Sequence, residues 1–424
     1  MRRLAGALRV PGDKSISHRY VMLGAMARGL TTVNNLAPGA DVASTVDCFR
    51  RLGVPIAIDH DGLRPRAVHI TGTGWPGLHE PAEILDAGNS GTTMRLMAGM
   101  LAGRPLRTCL TGDASLRGRP MARVVTPLQA MGARIRTDEG HAPLAIEGTP
   151  LTGISWQPEV PSAQVKSALM LAALSASGRT VITEPAPTRD HSERAFPVFG
   201  LRVDVDGSRV TVAGGQEALS PATPLTVPGD PSSAAVWAAA AAALPGSVVE
   251  LHDVLLNARR LGFVQALRQM GADVEIVTSS ERAGEPVGSI TIRHVGHGAG
   301  VITAAEVPDV IDELPVLAAR AALGGALEVS GAQELRVKES DRITALVRGL
   351  RALGVSAEER DDGFAIDGSR RPPGGTADAA GDHRLVMAFA LVALGAAGPS
   401  TIHGADAVSV SYPAFARDLA SLTS

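Results

Sequence analysis

Six times along the chain, an apolar run rich in Ala, Leu and Met passes through a glycine into a short β-branched segment. The copies span Met22–Val33 through Gly29, Met97–Leu110 through Gly103, and Leu169–Ile182 through Gly178. They continue at Ala234–Val249 through Gly246, Val316–Val329 through Gly324-Gly325, and Leu385–Ile402 through Gly398. Each predicts a helix followed by a strand. The glycines step by roughly 70–80 residues, a fixed repeat longer than solenoid periods. A glycine at a helix C-terminus supplies a left-handed cap, so these six are expected to be caps.

A second pattern lies between the copies. A helix ends in an apolar-Gly pair at Leu52-Gly53, Met131-Gly132, Phe199-Gly200, Met270-Gly271 and Leu353-Gly354. Alternating segments follow, such as Ala133–Thr137 and Ala272–Val277, whose period of two predicts strands and hairpins. Each unit therefore reads helix–strand–helix–strand–strand. The sixth is truncated, because the helix Ala414–Leu422 ends the chain. The repeat has a two-fold echo. Val10-Pro11-Gly12-Asp13-Lys14-Ser15 is matched by Val227-Pro228-Gly229-Asp230-Pro231-Ser232, and three units follow each. Two similar domains are expected, with hinges near Pro11-Gly12 and Pro228-Gly229. Residues 1–12 plus 228–424 form the one that holds both termini, and residues 13–227 form the other. A cleft between two such domains is a favoured ligand site.

Composition narrows the class. The 424 residues are 45% hydrophobic and 20% charged, which is globular, and the length suits two domains. Aromatics are only 3%, so the core is built from aliphatic residues and Met, and base stacking on aromatics is disfavoured. A net charge of −3 leaves no basic field for nucleic acid. Cys48 and Cys109 form no CxxC pair and have no Cys/His ligand spacing, so neither a zinc site nor a disulfide framework is indicated. Met1-Arg2-Arg3-Leu4 begins no apolar leader, and Ala234–Leu244 is about half the length that spans a bilayer. A cytoplasmic, monomeric protein with no membrane or nucleic-acid partner is expected.

Against this acidic background, cations gather at helix starts. Pro11–Arg19 puts Lys14 and Ser15 at the first turn of a helix and Arg19 one turn on. Unpaired N–H groups there already favour an anion. Gly88-Asn89-Ser90-Gly91-Thr92-Thr93-Met94-Arg95 is a small-residue turn able to cradle an anion; its plain alternative is a tight turn with Asn89 as N-cap. The loop Gly112–Pro120 adds Arg117 and Arg119. Ser162-Ala163-Gln164-Val165-Lys166-Ser167 opens a helix, where Ser162 reads most simply as the N-cap. Thr188-Arg189-Asp190-His191 opens another. Leu335–Arg342 is the densest run, and spacing puts Lys338 and Arg342 on one helical face. Asp312-Glu313 and Gly381-Asp382-His383-Arg384 each precede an apolar helix. One such turn is unremarkable, but several at repeat junctions predict a site for a polyanionic substrate.

These motifs, in this order and over essentially the whole chain, resemble the 3-phosphoshikimate 1-carboxyvinyltransferase (5-enolpyruvylshikimate-3-phosphate synthase) family. Its carriers here are Pro11–Arg19, Gly88–Arg95, Arg119-Pro120, Ser162–Lys166, Thr188–His191, Gly229–Ser233, Ile311–Glu313, Arg336–Arg342 and Asp382–Arg384. The resemblance implies an α/β fold of α+β repeats. It has two similar domains, each of three β-α-β-α-β-β-like units around buried helices, with a cleft between them that closes on substrate. It implies transfer of the enolpyruvyl group of phosphoenolpyruvate to the 5-hydroxyl of shikimate 3-phosphate, with no metal or organic cofactor. By resemblance, Lys14, Ser15, Arg19, Ser162, Ala163, Gln164, Arg189, Asp312 and Lys338 hold shikimate 3-phosphate. Lys14, Asn89, Gly91, Arg119, Gln164, Arg342 and Arg384 hold phosphoenolpyruvate. Asp312 fits the base at the hydroxyl, Glu339 the acid at the methylene carbon, and Lys338 shares proton transfer, with Lys14 in the catalytic set. Gly91 leaves the space that the inhibitor glyphosate uses.

Three positions depart from other members. Val410 stands where many carry a Lys, Ala163 where others have a second serine, and Arg189 lies in a TRDH motif typical of the second major class. The rival from the same fold, UDP-N-acetylglucosamine enolpyruvyltransferase, is expected to have a Lys-Asn pair near the start and a loop Cys. Here Lys14-Ser15 and a Cys109 that reads as a strand core position argue against it. A non-catalytic anion-binding repeat protein would explain the cations but not Asp312 and Glu339 among them.

Overall fold

A computed structural model describes residues 3–62 and 64–423. Met1 and Arg2, which open the segment read as lacking a leader, lie outside the described residues. The chain folds as two compact units. One comprises the described residues of Met1–Pro11, Pro228–Glu281 and Glu285–Ser424; the other comprises Gly12–Val227 and Arg282–Gly284.

Among the described residues, five four-stranded sheets share one topology. In the second unit, Leu85–Asp86 runs parallel to Arg107–Thr111, which is antiparallel to His141–Glu147, and Arg134–Asp138 forms the far edge. Among the described residues, the sixth repeat keeps only the parallel pair Thr376–Asp378 and Thr401–His403, as the truncated pattern predicts. The short first strand of each sheet precedes the buried helix, an element the hydrophobic pattern did not reveal. Two of these strands come from the ends of the segments. Ala5–Arg9 completes a sheet with Val248–Leu255, and Leu225–Thr226 completes one with Arg28–Asn34. Ala5–Arg9 and Leu225–Thr226 each end one residue short of a Pro-Gly pair, Pro11-Gly12 or Pro228-Gly229, and a Cβ on Gly12 would find no room beside the Asn35 carbonyl.

The apolar runs form the helices Lys14–Met26, Gly91–Ala102, Ala163–Ala173, Pro231–Ala243, Leu314–Ala321 and His383–Gly395. All 13 residues of Pro231–Ala243 are buried. Small residues let such helices approach closely. A Cβ on Gly99 would stand 2.1 Å from the Ala168 carbonyl oxygen. Glycine here costs about 1 kcal/mol of helix propensity but permits the packing.

Of the six glycines expected as left-handed caps, Gly178 and Gly246 take that conformation (φ +80° and +73°) in the turns that follow their helices, and others do not. Gly103 ends its helix at φ −99°, and Gly29 sits inside a strand. The apolar-Gly pairs all carry left-handed caps: Gly53, Gly132, Gly200, Gly271 and Gly354 have φ between +72° and +102°. Each builds a Schellman motif, as in Gly53 N–H to Arg50 O (3.0 Å) and Val54 N–H to Phe49 O (3.0 Å). The same pair of bonds recurs at the other four. The physical reason is how the helices end: Lys14–Met26, Pro231–Ala243 and His383–Gly395 close on an extended residue, Ala27, Leu244 and Ala396, which needs no left-handed glycine.

Candidate active site

The second unit assembles its functional side chains around three helix starts. Asp13 caps Lys14–Met26 by accepting from Ile16 N–H (2.8 Å), which presents Lys14 and Ser15 at the first turn. Lys14 Nζ pairs with Asp41 Oδ2 (2.9 Å), and Asp41 is nearly buried. Arg19 is buried one turn on. It donates to Ser15 O (2.9 Å), Ser192 Oγ (2.7 Å) and Ser167 Oγ (2.6 Å), so it ties three helices together.

Beneath Lys14 lies His18, wholly buried. Its Nδ1 meets Thr45 Oγ1 (2.7 Å), which meets Thr93 Oγ1 (2.7 Å), which donates to Ser90 Oγ (2.8 Å). Burial drives the His18 pKa down to about 3, aided by Lys14 and Arg19 and opposed by Asp41. The ring is neutral at physiological pH.

Ser90, not Asn89, caps Gly91–Ala102, by accepting from Thr93 N–H (3.1 Å). The Asn89 amide is used otherwise. It accepts from Arg119 Nη2 (2.6 Å) and donates to Asp113 Oδ2 (2.7 Å). Arg119 is buried, while Arg117 of the same loop is exposed, so only one of the two arginines joins the site. Two guanidinium groups converge on Gly91. A Cβ there would lie 2.7 Å from Arg95 Nη1 and 3.5 Å from Arg119 Nη1. Arg95 also donates to Gln164 Oε1 (2.7 Å), and Gln164 donates to Thr92 Oγ1 (3.0 Å). Ser162 caps its helix through Val165 N–H (3.3 Å), as the plain reading held, and Ala163 is the first helical residue. Arg189 lies half-buried in the turn before the helix His191–Val198.

In the other unit, Arg342 is the centre. It is fully buried and begins the helix Arg342–Ala352. Its Nε meets Asp382 Oδ2 (2.8 Å), its Nη2 pairs with Glu339 Oε2, and its Nη1 lies 3.9 Å from Asp312 Oδ1. Burial works against its charge, yet Asp382, Glu339 and Asp312 together hold its pKa above the ordinary arginine value. Nη1 has no hydrogen-bond partner among the described residues. Arg384 donates to Asp312 O (2.7 Å), and its Nη2 lies 3.7 Å from Asp312 Oδ2. Asp382 also caps the Arg384 amide (2.9 Å) and accepts from Ser340 Oγ (3.3 Å).

Lys338 is not on a helical face with Arg342. It follows the 3-10 turn Gln333–Val337 in an extended-like conformation, and the helix starts four residues later, capped by Asp341. The run 338–341 is a loop because Asp341 takes the cap position. Burial lowers the Lys338 pKa, with Asp312 and Glu339 opposing. Cys109 lies in a strand, but on its half-exposed face; its neighbours Thr108 and Leu110 fill the core. At the position of the absent Lys, Val410 ends a 3-10 turn before the buried Tyr412, whose hydroxyl donates to Asp418 Oδ2 (2.8 Å).

Sequence reasoning passed over His18, Asp41 and Asp382, which hold the proposed ligands in place. Asp382 did carry a signal, since it lies two residues before Arg384 at a helix start, whereas Asp41 carried none, its partner Lys14 lying 27 residues away. His18 carried none, because its buried hydroxyl chain joins residues 27 and 48 positions apart.

Comparison with known proteins shows the family. Residues 1–419 match the family model of EPSP synthase (3-phosphoshikimate 1-carboxyvinyltransferase). A 3-phosphoshikimate 1-carboxyvinyltransferase of Halorhodospira halophila is 50% identical over 415 residues, 97% of this chain and 92% of that protein. One from Acidithiobacillus ferrooxidans is 49% identical over 414 residues, 97% of this chain and 94% of that protein. The EPSP synthase structure of Acinetobacter baumannii superposes with a TM-score of 0.87 at 40% identity, covering 100% of this chain and 96% of that one. No helix among the described residues is long and apolar enough to cross a membrane. The chain belongs to the EPSP synthase (3-phosphoshikimate 1-carboxyvinyltransferase) family.

Proposed function

We propose that this chain transfers the enolpyruvyl group of phosphoenolpyruvate to the 5-hydroxyl of shikimate 3-phosphate and releases phosphate. The observation that carries this reading is Arg342, a buried guanidinium bracketed by Asp312, Glu339 and Asp382, in a chain that matches the family along its length. An anion-binding protein needs cations; it does not need carboxylates crowded onto one of them.

The substrates bring two phosphates and two carboxylates, whose repulsion must be offset by fixed cations. Lys14, Ser15, Arg19, Ser162, Ala163, Gln164 and Arg189 hold shikimate 3-phosphate, with Asp312 and Lys338 from the other unit. Lys14, Asn89, Gly91, Arg119, Gln164, Arg342 and Arg384 hold phosphoenolpyruvate. Both units therefore act on one substrate pair, with Pro11-Gly12 and Pro228-Gly229 as hinges between open and closed states.

In the first step the 5-hydroxyl oxygen bonds to C2 of phosphoenolpyruvate. Asp312 takes the hydroxyl proton, and Glu339 gives a proton to the methylene carbon. In the second, the roles reverse: the new methyl group returns a proton to Glu339 as the C2–O bond to phosphate breaks, and Asp312 gives up its proton to the departing phosphate. Arg342 links binding to this chemistry. A substrate carboxylate competes with Glu339 for the guanidinium, and a carboxylate that loses its cation holds a proton more tightly. Lys338 beside it steadies whichever form is charged.

The test is charge deletion in each unit. Arg119→Ala and Arg384→Ala should each raise the KM for phosphoenolpyruvate at least tenfold, about 1.4 kcal/mol. A KM within twofold of wild type for either one refutes the claim that both units grip the same substrate.

A further inference from the structure

One buried charge cluster in the second unit has no part in the reaction as described. Lys166 lies on the helix Ala163–Ala173, two residues after Gln164, and its side chain is 1% exposed. Its ammonium meets two carboxylates: Glu184 Oε2 at 3.0 Å and Glu193 Oε1 at 2.6 Å. Their side chains are 10% and 7% exposed, so all three ionisable groups lie inside the protein. Taking such groups out of water is costly, and a cluster of them is weak evidence for stability alone.

The three residues come from three elements. Glu184 follows the strand Arg179–Thr183, and Glu193 lies in the first turn of the helix His191–Val198. Between them runs the turn that carries Arg189. Glu184 Oε1 accepts both the Thr188 amide (3.2 Å) and the Thr188 hydroxyl, so the residue before Arg189 is bound to one carboxylate. The helix that follows is bound through the other. The turn is therefore fastened at both ends to a single ammonium. The neighbouring positions on the same two helices, Ser167 and Ser192, hold Arg19 (2.6 and 2.7 Å). One helix pair thus fixes both arginines assigned to shikimate 3-phosphate, Arg19 through hydroxyls and Arg189 through the ion cluster.

We propose that Lys166, with Glu184 and Glu193, is a positioning device that sets the Arg189 turn for the anionic acceptor substrate. The inference rests on the reading of Arg189 as a ligand of shikimate 3-phosphate. Two buried carboxylates facing each other without Lys166 would repel, and each would seek water or another cation. Glu184 would release Thr188, and the Arg189 turn would lose its fixed place. Burial already raises the Glu193 pKa, with Lys166 as the main opposing influence, in keeping with a carboxylate that depends on this ammonium.

The experiment measures steady-state kinetics for wild type, Lys166→Met, Lys166→Arg, Arg189→Ala and the double variant Lys166→Met/Arg189→Ala. Both substrates are varied, and folding is checked by circular dichroism. Lys166→Met should raise the KM for shikimate 3-phosphate at least tenfold and the KM for phosphoenolpyruvate less than threefold. Lys166→Arg, which restores a cation, should recover most of the difference. In the Arg189→Ala background, Lys166→Met should add less than twofold, because the turn then has nothing to present. A general loss of structure predicts the opposite: equal losses on both substrates, and additive effects in the double variant. Either result overturns the proposal. If Lys166→Met does not fold, the triple variant Lys166→Met/Glu184→Gln/Glu193→Gln, which holds no uncompensated charge, takes its place with the same expectations. An Arg189→Ala enzyme with an unchanged KM for shikimate 3-phosphate would instead refute the assignment of Arg189, and so separates that failure from failure of the positioning role.

Discussion

Replacing Asp382 with Ala should unfold the terminal unit far more readily than its small change in volume suggests. The carboxylate is wholly buried and makes three bonds: to Arg342 Nε (2.8 Å), to Ser340 Oγ (3.3 Å) and to the Arg384 amide as N-cap (2.9 Å). Breaking a buried ion pair by deleting one partner costs about 3–5 kcal/mol. Arg342 keeps Glu339, which places this case near the low end, and the lost cap adds about 1 kcal/mol. The sum is roughly 4 kcal/mol, set against typical domain stabilities of about 5–15 kcal/mol. Asp382→Asn can keep the cap, but its amide N–H₂ faces a guanidinium donor, so its cost should fall between Ala and wild type. The chain has three tryptophans, and Trp237 alone lies in this unit, buried against Phe415. Urea unfolding followed by Trp237 fluorescence, in a Trp75→Phe/Trp156→Phe background, reads this unit separately. With a slope of about 2–3 kcal/mol per molar urea, the midpoint should fall by roughly 1.5–2 M for Asp382→Ala. A shift below about 0.3 M, under 1 kcal/mol, would refute the buried-pair argument.

Three further outcomes follow from the geometry. His18 stays neutral when folded down to about pH 3, but protonates near pH 6.5 when unfolded. The unfolded state therefore binds more protons below pH 6.5, and stability falls as the pH drops through that window. Between pH 7 and pH 5 the wild type should lose about 2 kcal/mol that His18→Asn does not lose, by urea titration at both pH values; equal losses would contradict it. Burial lowers the Lys338 pKa, so the alkaline limb of kcat/KM should lie below the ordinary lysine range; Lys338→Arg should move it upward, and an unmoved limb excludes Lys338 as its source. Gly91→Ala places a methyl 2.7 Å from Arg95 Nη1, and one methyl in a tight pocket discriminates by about 10–200-fold. The inhibition constant for glyphosate should weaken within that range, and one no weaker than wild type rejects the close-contact reading.

The repeat was legible because burial imposes it. A helix enclosed like Pro231–Ala243 keeps polar residues only where they find partners, as Ser232 does in the first turn, so from Ala234 onward its sequence is an uninterrupted apolar run. The Schellman glycines were equally visible, since the pairs such as Phe49 and Val54 must be apolar to close the motif. The two-residue parallel strands were not, because two residues are too short to show a period. Lys338 and Arg342 were misplaced for a related reason. Spacing of four suits a helix, but Asp341 caps the helix between them, and capping is decided by hydrogen bonds that spacing ignores. At Ser90 the same competition ran between two good capping residues, and Asn89 was drawn away by Arg119. Polar partners from distant elements, such as Lys166 with Glu184 and His18 with Thr45, leave no local trace and appear only once the helices are packed.

The most direct test of the account is phosphate release from phosphoenolpyruvate by the purified chain, with shikimate 3-phosphate or UDP-N-acetylglucosamine as acceptor. Release with shikimate 3-phosphate, and none above background with the sugar nucleotide, is the predicted result. Release with the sugar nucleotide alone, or with neither acceptor, would contradict it.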